Sequence, residues 1–416
     1  MIEIRTLDCG IRVVMEKITH VQSVAIGLWV KAGAVDEEKE ISGISHFIEH
    51  MMFKGTENRT AKQIAEDVDR IGGQINAFTG REATCYYIKT LSSNADKASE
   101  ILLDMFMNSQ FDKEEMSKEK KVIYEEMKMI EDNPDEYAHE TISDLVFKGS
   151  PYEKSIIGTQ TSLKGISQEK LKAYIADEYS RDSIVVSVAG NFDCDEICNI
   201  FEGKLKHLKE SKPKKEFYDE AYEPRYQVKV KDIEQSHICI GTRGLKIDDD
   251  NYYALVLLNN IMGGSMSSRL FQNIREQKGL AYSVYSHSSS YTHAGYFNIY
   301  AGVSHDKVGE TIQAIKEELE RLKNEGITED ELHVAKEQLK SNYIFGQESV
   351  NGRMFSIGKN ACLLNKIWTP EEVIREIDEV SMEDIEKASE LINDIKKYSA
   401  VVVTNKKCDL KKLMLS

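Results

Sequence analysis

Two short stretches, Phe111-Asp112-Lys113-Glu114-Glu115-Met116 and Ile327-Thr328-Glu329-Asp330-Glu331-Leu332, lie 216 positions apart (327 − 111). Each follows a long helical pattern and opens another. In a chain of 416 residues, a repeat of this period means a duplicated domain and not a solenoid. The elements around the two stretches recur in the same order. Strands are predicted at 2–6, 12–18 and 22–32, with helices at about 43–54 and from Thr60 to Gly72-Gly73. Strands at 74–79 and 83–91 follow, then helices from Asn94 and from Asp112, helices at 135–147 and 167–179, and a strand at 183–189. The second copy repeats this with strands at 227–231 and 236–243, helices near 249–262 and 266–276, and strands at 281–289 and 294–302. Helices from Ser304 and Thr328 and a closing strand at 399–403 complete it. Ser23-Val24-Ala25-Ile26-Gly27-Leu28-Trp29-Val30 is too continuously apolar for a solvated surface. The fold class read from this is α+β: two duplicated domains of similar fold, each an antiparallel-rich mixed sheet packed with helices. The domains are placed at 1–208 and 227–416. A linker at 209–226 joins them, where lysines crowd beside Pro213 and Pro224 and apolar periodicity lapses.

Composition narrows the function classes. With 54 basic and 70 acidic residues the net charge is −16, which lacks the basic footprint that nucleic-acid phosphates require. No apolar run reaches membrane-spanning length, and the first residues lack the basic-then-apolar pattern of a secretion signal. Cysteines 9, 85, 194, 198, 239, 362 and 408 are odd in number and scattered, which suggests no disulfide framework. The chain reads as cytoplasmic.

The chemistry concentrates at His46-Phe47-Ile48-Glu49-His50. Apolar residues at Ile44, Phe47, Ile48, Met51 and Met52 recur at helical spacing, which predicts a buried helix. His46 and His50 then stand one turn apart on one face and suit a single Zn²⁺, while Glu49 projects beside them as a base for an attacking water. This is the inverted zincin pattern H-x-x-E-H. The second copy has no such motif. The duplication offset sets Ala335 opposite Glu119 and Asn342 opposite Glu126, so the metal chemistry belongs to the first copy alone. A catalytic zinc needs a third protein ligand. The helix from Asp112 offers Glu115, Glu119, Glu125 and Glu126; Glu115, Glu119 and Glu126 fall near one face, and spacing does not choose among them.

The run from Gly43 to Thr56, ending Met51-Met52-Phe53-Lys54-Gly55-Thr56, resembles the insulinase/pitrilysin family of zinc metallopeptidases. So do Gly72-Gly73-Gln74-Ile75-Asn76-Ala77-Phe78-Thr79 and Val122-Ile123-Tyr124-Glu125-Glu126-Met127. The likeness spans nearly the whole chain and points to the two-domain branch that includes the mitochondrial processing peptidase catalytic subunit and bacterial processing proteases. The resemblance implies Glu126, 76 residues past His50 (126 − 50), as the third zinc ligand with His46 and His50. It implies Glu119 as a supporting carboxylate that joins Glu49 in catalysis by orienting or balancing the site.

The same resemblance implies that Asn76 and Ala77 hold the substrate backbone along strand 74–79, by β-augmentation. Arg275 and Tyr282, seven residues apart, would contact the substrate near the cleavage point, where both can donate to a carbonyl oxygen as charge develops. Because this chain carries both the metal motif and the Arg-Tyr pair, the resemblance implies a homodimer. In it, Arg275 and Tyr282 act in trans, and a closed chamber admits short or unfolded peptides. The expected function is a zinc endopeptidase with one Zn²⁺ per chain; the alternative is a non-catalytic scaffold or assembly subunit of the same fold.

Overall fold

The computed structural model describes residues 2–210 and 221–416. Ten residues of the expected linker, 211–220, lie outside the described residues. In the first copy, β1 (Ile2–Thr6), β2 (Arg12–Lys17) and β3 (Ser23–Val30) precede α1 (Ile44–Met52) and α2 (Ala61–Arg70). The hairpin β4 (Gln74–Thr79) and β5 (Thr84–Leu91) leads into α3 (Ala95–Asn108), α4 (Lys113–Asp132) and α5 (Pro134–Val146). Then come α6 (Gln160–Gly165), α7 (Gln168–Glu178), β6 (Ile184–Gly190) and α8 (Cys194–Leu205). In the second copy, β7 (Tyr226–Val230), β8 (Ser236–Arg243), α9 (Tyr252–Asn259) and the hairpin β9 (Ala281–Ser290) and β10 (Gly295–Val303) repeat the order. They are followed by α10 (Val308–Glu325), α11 (Glu329–Gln347), α12 (Val350–Leu364), α13 (Pro370–Glu379), α14 (Met382–Ile392), β11 (Ser399–Thr404) and α15 (Leu410–Leu415).

The two sheets have one topology. The first runs β1-β2-β6-β3-β5-β4 and the second β7-β11-β8-β10-β9; apart from β1, every position has its counterpart. The pairing senses match as well. β2 and β6 are parallel, as are β7 and β11, and the remaining neighbours are antiparallel. The fold is therefore α+β with two mixed sheets. Between β8 and β9 the helical periodicity is realised differently from expectation. α9 widens into a π-helical turn at Asn260–Gly264, and Phe271–Gln277 is π-helical too. Gly263, in the first of these, lets the turn approach β9: a Cβ there would stand 2.2 Å from the backbone nitrogen of Ser286, a contact only glycine permits.

The compact units are not two contiguous halves. One unit comprises the residues up to Met127, the stretch from Lys154 to residue 210, and Ile344–Thr369; the other comprises Lys128–Glu153, residues 221–343 and Pro370–Ser416. Each sheet takes a helix from the other copy: α12 packs across β6, β3 and β2, and α5 packs across β8 and β11. In the first unit this buries β3 and β6 on both faces. Val24, Ile26, Leu28 and Val30 face a core shared with α1 and α3, while Ala25 and Trp29 face α12. Such burial of a Leu- or Ile-sized side chain contributes about 1.5–3 kcal/mol. Close approach of α12 depends on glycine. A Cβ on Gly358 would lie 2.1 Å from Trp29 Nε1, and one on Gly27 would lie 2.4 Å from Met354 Sδ. Among the described residues no helix is long and apolar enough to cross a membrane.

Candidate metal centre

α1 has nine residues, too few for stability alone, so packing holds it. Ile44, Phe47, Ile48, Met51 and Met52 are all buried, which leaves His46, Glu49 and His50 on the opposite face. The chain enters the helix through Gly43, at φ 89°, where a Cβ would stand 2.6 Å from the carbonyl oxygen of Ile157. A side chain is therefore excluded there on two grounds. Gly43 cannot cap the helix with a side chain. Instead Glu37, buried, accepts the backbone N–H groups of Gly43 (2.6 Å) and Ser45 (2.9 Å).

α4 brings Glu126 to the two imidazoles. Glu126 Oε2 lies 3.9 Å from His46 Nε2 and 3.6 Å from His50 Nε2. One donor atom from each of the three falls within 4.8 Å of the others. In tetrahedral zinc, bonds of 2.0–2.1 Å set donor atoms roughly 3.3 Å apart. Two imidazole nitrogens and a carboxylate oxygen at these separations fit one such ion, with a position left for water or substrate. Burial, reinforced by His50, pushes the His46 imidazole down to about 4. The ring is then neutral at pH 7, the form that coordinates metal. The two rings stand edge to face, 4.6 Å between centroids. His46 Nδ1 is buried with no hydrogen-bond partner among the described residues.

His50 is held differently. Its Nδ1 lies 3.1 Å from Glu119 Oε2. A carboxylate accepts, so Nδ1 carries the proton and Nε2 presents its lone pair towards Glu126. Lys54 Nζ contacts the other oxygen of Glu119 at 2.6 Å. Glu119 is 6 % exposed, and its charge is thus matched by an ammonium on one side and a donated N–H on the other. Glu49 stands beside the ring pair, with Thr79 donating its hydroxyl to Glu49 Oε2 at 2.5 Å. Burial raises the Glu49 carboxyl above its ordinary range, Thr79 and His50 oppose this, and Glu126 adds to it. A carboxylate raised towards neutrality is suited to exchanging protons.

The structure thus brings His46, Glu49, His50, Glu119 and Glu126 together, all in the first unit. Of the glutamates that spacing left open on this helix, Glu115 instead pairs with Lys118 at 2.6 Å on the surface. Asn76 and Ala77 lie on β4, the edge strand of the first sheet, with Asn76 exposed. In the second unit the Arg275 guanidinium lies 5.7 Å from the Tyr282 ring centre and 4.7 Å from that of Phe271. Tyr282 is 77 % exposed on the edge strand β9. Three contributors escape sequence reasoning: Glu37, Lys54 and Thr79. Lys54 stands just past the helix end and Thr79 at a strand end, and nothing in their spacing from the histidines signals a contact.

Comparisons with known proteins bear on the family and the fold. The family model described as Insulinase (Peptidase family M16) matches residues 12–160, and that described as Peptidase M16 inactive domain matches residues 165–339. The chain is 44 % identical to a Bacillus subtilis (strain 168) protein named uncharacterized zinc protease YmxG, over 92 % of this chain and 94 % of that one. It is 34 % identical to an uncharacterized zinc protease of Mycobacterium leprae (strain TN), over 96 % of this chain and 90 % of that one. Among solved structures, a protease from Helicobacter pylori superposes with a TM-score of 0.89 at 22 % identity, covering 97 % of this chain and 99 % of its own. A chain of Complex III2 from Candida albicans superposes with a TM-score of 0.84 at 18 % identity, covering 100 % of this chain and 99 % of its own. At these identities the structural matches show the fold alone.

Proposed function

Since the chain belongs to the insulinase family of peptidases, M16, we propose that it is a zinc-dependent endopeptidase, with one ion held by His46, His50 and Glu126. The observation that carries this is the meeting of those three side chains within 4.8 Å, with the half-buried carboxyl of Glu49 beside them. Bound zinc would supply Lewis-acid polarisation of the scissile carbonyl. Glu49 takes the proton of the attacking water and passes it to the leaving amine as the C–N bond breaks and the C–O bond forms. Glu119 orients His50 and Lys54 balances Glu119.

The peptide adds as a strand along the β4 edge, its backbone held by Asn76 and Ala77. Arg275 and Tyr282 donate to the carbonyl oxygen where charge develops. We assign them to the partner copy of a homodimer, whose chamber takes short or unfolded peptides. The seven free cysteines support a reducing, cytoplasmic setting.

Zinc analysis together with cleavage of a quenched peptide library, with and without chelator, tests the activity. Stoichiometric zinc with chelator-sensitive cleavage is expected; a chain that takes up no metal would sink the reading. Mixing Glu49→Gln chains with Arg275→Ala chains should restore up to one working site per heterodimer. If subunits demonstrably exchange and activity stays absent, the assignment in trans fails. The second reading, a non-catalytic assembly subunit, draws on the likeness of fold to the Complex III2 chain; full metal loading without turnover on any peptide would favour it.

A further inference from the structure

We propose that Glu37 is a positioning residue for catalysis, one that sets the metal helix against the strand that holds the peptide. The inference rests on the endopeptidase reading of the site. Glu37 is 2 % exposed, and each oxygen of its carboxylate takes one N–H from the first turn of α1, those of Gly43 and Ser45. His46 is the next residue after Ser45. Buried carboxylates are costly unless something on the protein takes their lone pairs, and here the takers are the start of the helix that carries all three motif residues.

The segment leading to Glu37 is tied at its other end to the turn between β4 and β5. Ala34 N–H donates to Gly80 O (3.3 Å) and Val35 N–H to Arg81 O (2.9 Å). Gly33 lies so close to this turn that a Cβ would stand 2.5 Å from Gly80 O. Lys154 Nζ donates to Val35 O at 3.1 Å, and Ser45 Oγ and Tyr174 Oη are 2.9 Å apart. The stretch 33–37 thus bridges the start of the metal helix and the end of β4. That same strand end contributes Thr79, which donates to Glu49. A small rotation of α1 would therefore move the histidines and the base together with respect to the edge strand. Nothing about Glu37 touches the reacting atoms; it acts through the helix it anchors.

Glu37→Gln, Glu37→Asp and a control, Ile197→Ala, separate positioning from plain stability. Ile197 is buried on α8 and makes an ordinary core contribution. Three properties are measured on each: the zinc dissociation constant by competition with a chelating dye, the visible spectrum of the cobalt-substituted protein, and kcat and KM on a quenched peptide. Glu37→Gln should weaken zinc binding by about 10-fold or more, the range seen for residues that orient metal ligands, and shift the cobalt bands. At saturating metal kcat should fall by about as much while KM moves less than about 3-fold. Glu37→Asp, which keeps the carboxyl on a shorter stem, should fall between Gln and the parent. Ile197→Ala should lower the melting temperature and leave metal affinity and spectrum as they were.

The proposal is overturned if Glu37→Gln loses only thermal stability, or if Ile197→Ala moves the cobalt spectrum as much as Glu37→Gln does. Should Glu37→Gln fail to fold, Glu37→Asp decides on the same criteria. A parent protein that binds neither zinc nor cobalt would remove the endopeptidase reading and this inference with it.

Discussion

The two copies share a sheet topology and differ in what their equivalent helices carry. α1 presents His46, Glu49 and His50; α9, in the same place of the second copy, reads Tyr252-Tyr253-Ala254-Leu255-Val256-Leu257-Leu258-Asn259 and buries its leucines. α4 presents Glu119 and Glu126. At the corresponding positions of α11 stand Ala335, buried, and Asn342, exposed. Nothing in the architecture needs those glutamates, since the second copy folds to the same strand order without them. The scaffold and the chemistry are separable, and the site is a set of polar residues placed on a fold that would stand with apolar ones.

A second difference lies under the exchanged helices. α12 covers the first sheet through an apolar seam in which Trp29, Phe78, Tyr87 and Phe355 meet edge to face or tilted at 4.8–6.5 Å. α5 covers the second sheet through a polar one. His139 stacks on Tyr300 at 5.1 Å and lies 2.8 Å from Tyr285 Oη, with Cys239 and Asn298 alongside. The first seam is mainly aromatic packing, with Trp29 Nε1 donating to Ser187 Oγ at 2.9 Å and an Arg353–Glu16 ion pair beside it; the second is set by hydrogen bonds among titratable groups.

The sharpest way to break the comparison between copies is to remove the base from one and add an acid to the other. Glu49→Gln should retain zinc and lose about 10²–10⁴-fold in kcat/KM, the usual range for a general base. Asn342→Glu should leave one zinc per chain and unchanged turnover, because α9 supplies no imidazole. Metal analysis and peptide kinetics check both; turnover by a metal-loaded Glu49→Gln protein would dismiss Glu49 as the base.

Below that effect come the residues behind the metal site and the glycines under the exchanged helices. Lys54→Met leaves Glu119 buried without its ammonium and should weaken zinc binding by about 10–100-fold, as should Glu119→Gln. Equal zinc affinity in all three proteins would reduce the Lys54–Glu119–His50 chain to a structural contact. Gly358→Ala drives a Cβ into the Trp29 ring and should cost about 1–3 kcal/mol. On Gly241 a Cβ would meet the Ile142 side chain at 3.0 Å, with Phe297 O and Val146 Cγ2 each at 3.4 Å, so Gly241→Ala should cost less. Urea midpoints that rank these two the other way would show that the apolar seam yields more readily than the polar one.

Much of this was legible beforehand because it rests on local patterns. Alternating and continuous apolar runs locate the strands, and the apolar positions of α1 leave its histidines on one face. The offset of the duplication identified which copy lacks the chemistry. The exchange of α5 and α12 is not legible in the sequence, and neither are the bounds of α12, α13 and α14 within residues 350–392. An amphipathic stripe says that a helix must cover something but not which sheet, and Gly358 shows its purpose only once Trp29 is seen beside it. Spacing alone left Glu115, Glu119, Glu125 and Glu126 open; the choice among them turns on the approach of α4 to α1, a tertiary relation. Glu37, Lys54 and Thr79 were missed for the same reason, since each acts on a partner brought to it by folding.

The smallest expected effect separates the two seams by pH. Burial lowers His139 below the ordinary imidazole range; Asp135 opposes this, and His287 adds to it. His237 and His287 are lowered by burial as well. The other groups facing His139 do not titrate in the same window: burial pushes the Cys239 thiol and the Tyr285 phenol up to about 12 and Tyr300 higher still. A histidine lowered in the folded state binds its proton first in the unfolded one. Its contribution to stability is present above the unfolded value and is lost as pH falls through the folded one. Acidification from about pH 7.5 to 5.5 should therefore weaken the seam under α5 and spare the one under α12, which holds no imidazole. His139→Phe, which gives α5 the kind of ring that α12 carries, should gain on the parent as pH falls, by a few degrees at most in melting temperature. A gap between the two proteins that stays constant across this range would mean that His139 keeps its ordinary protonation when folded, and that the two seams differ in shape but not in their response to acid.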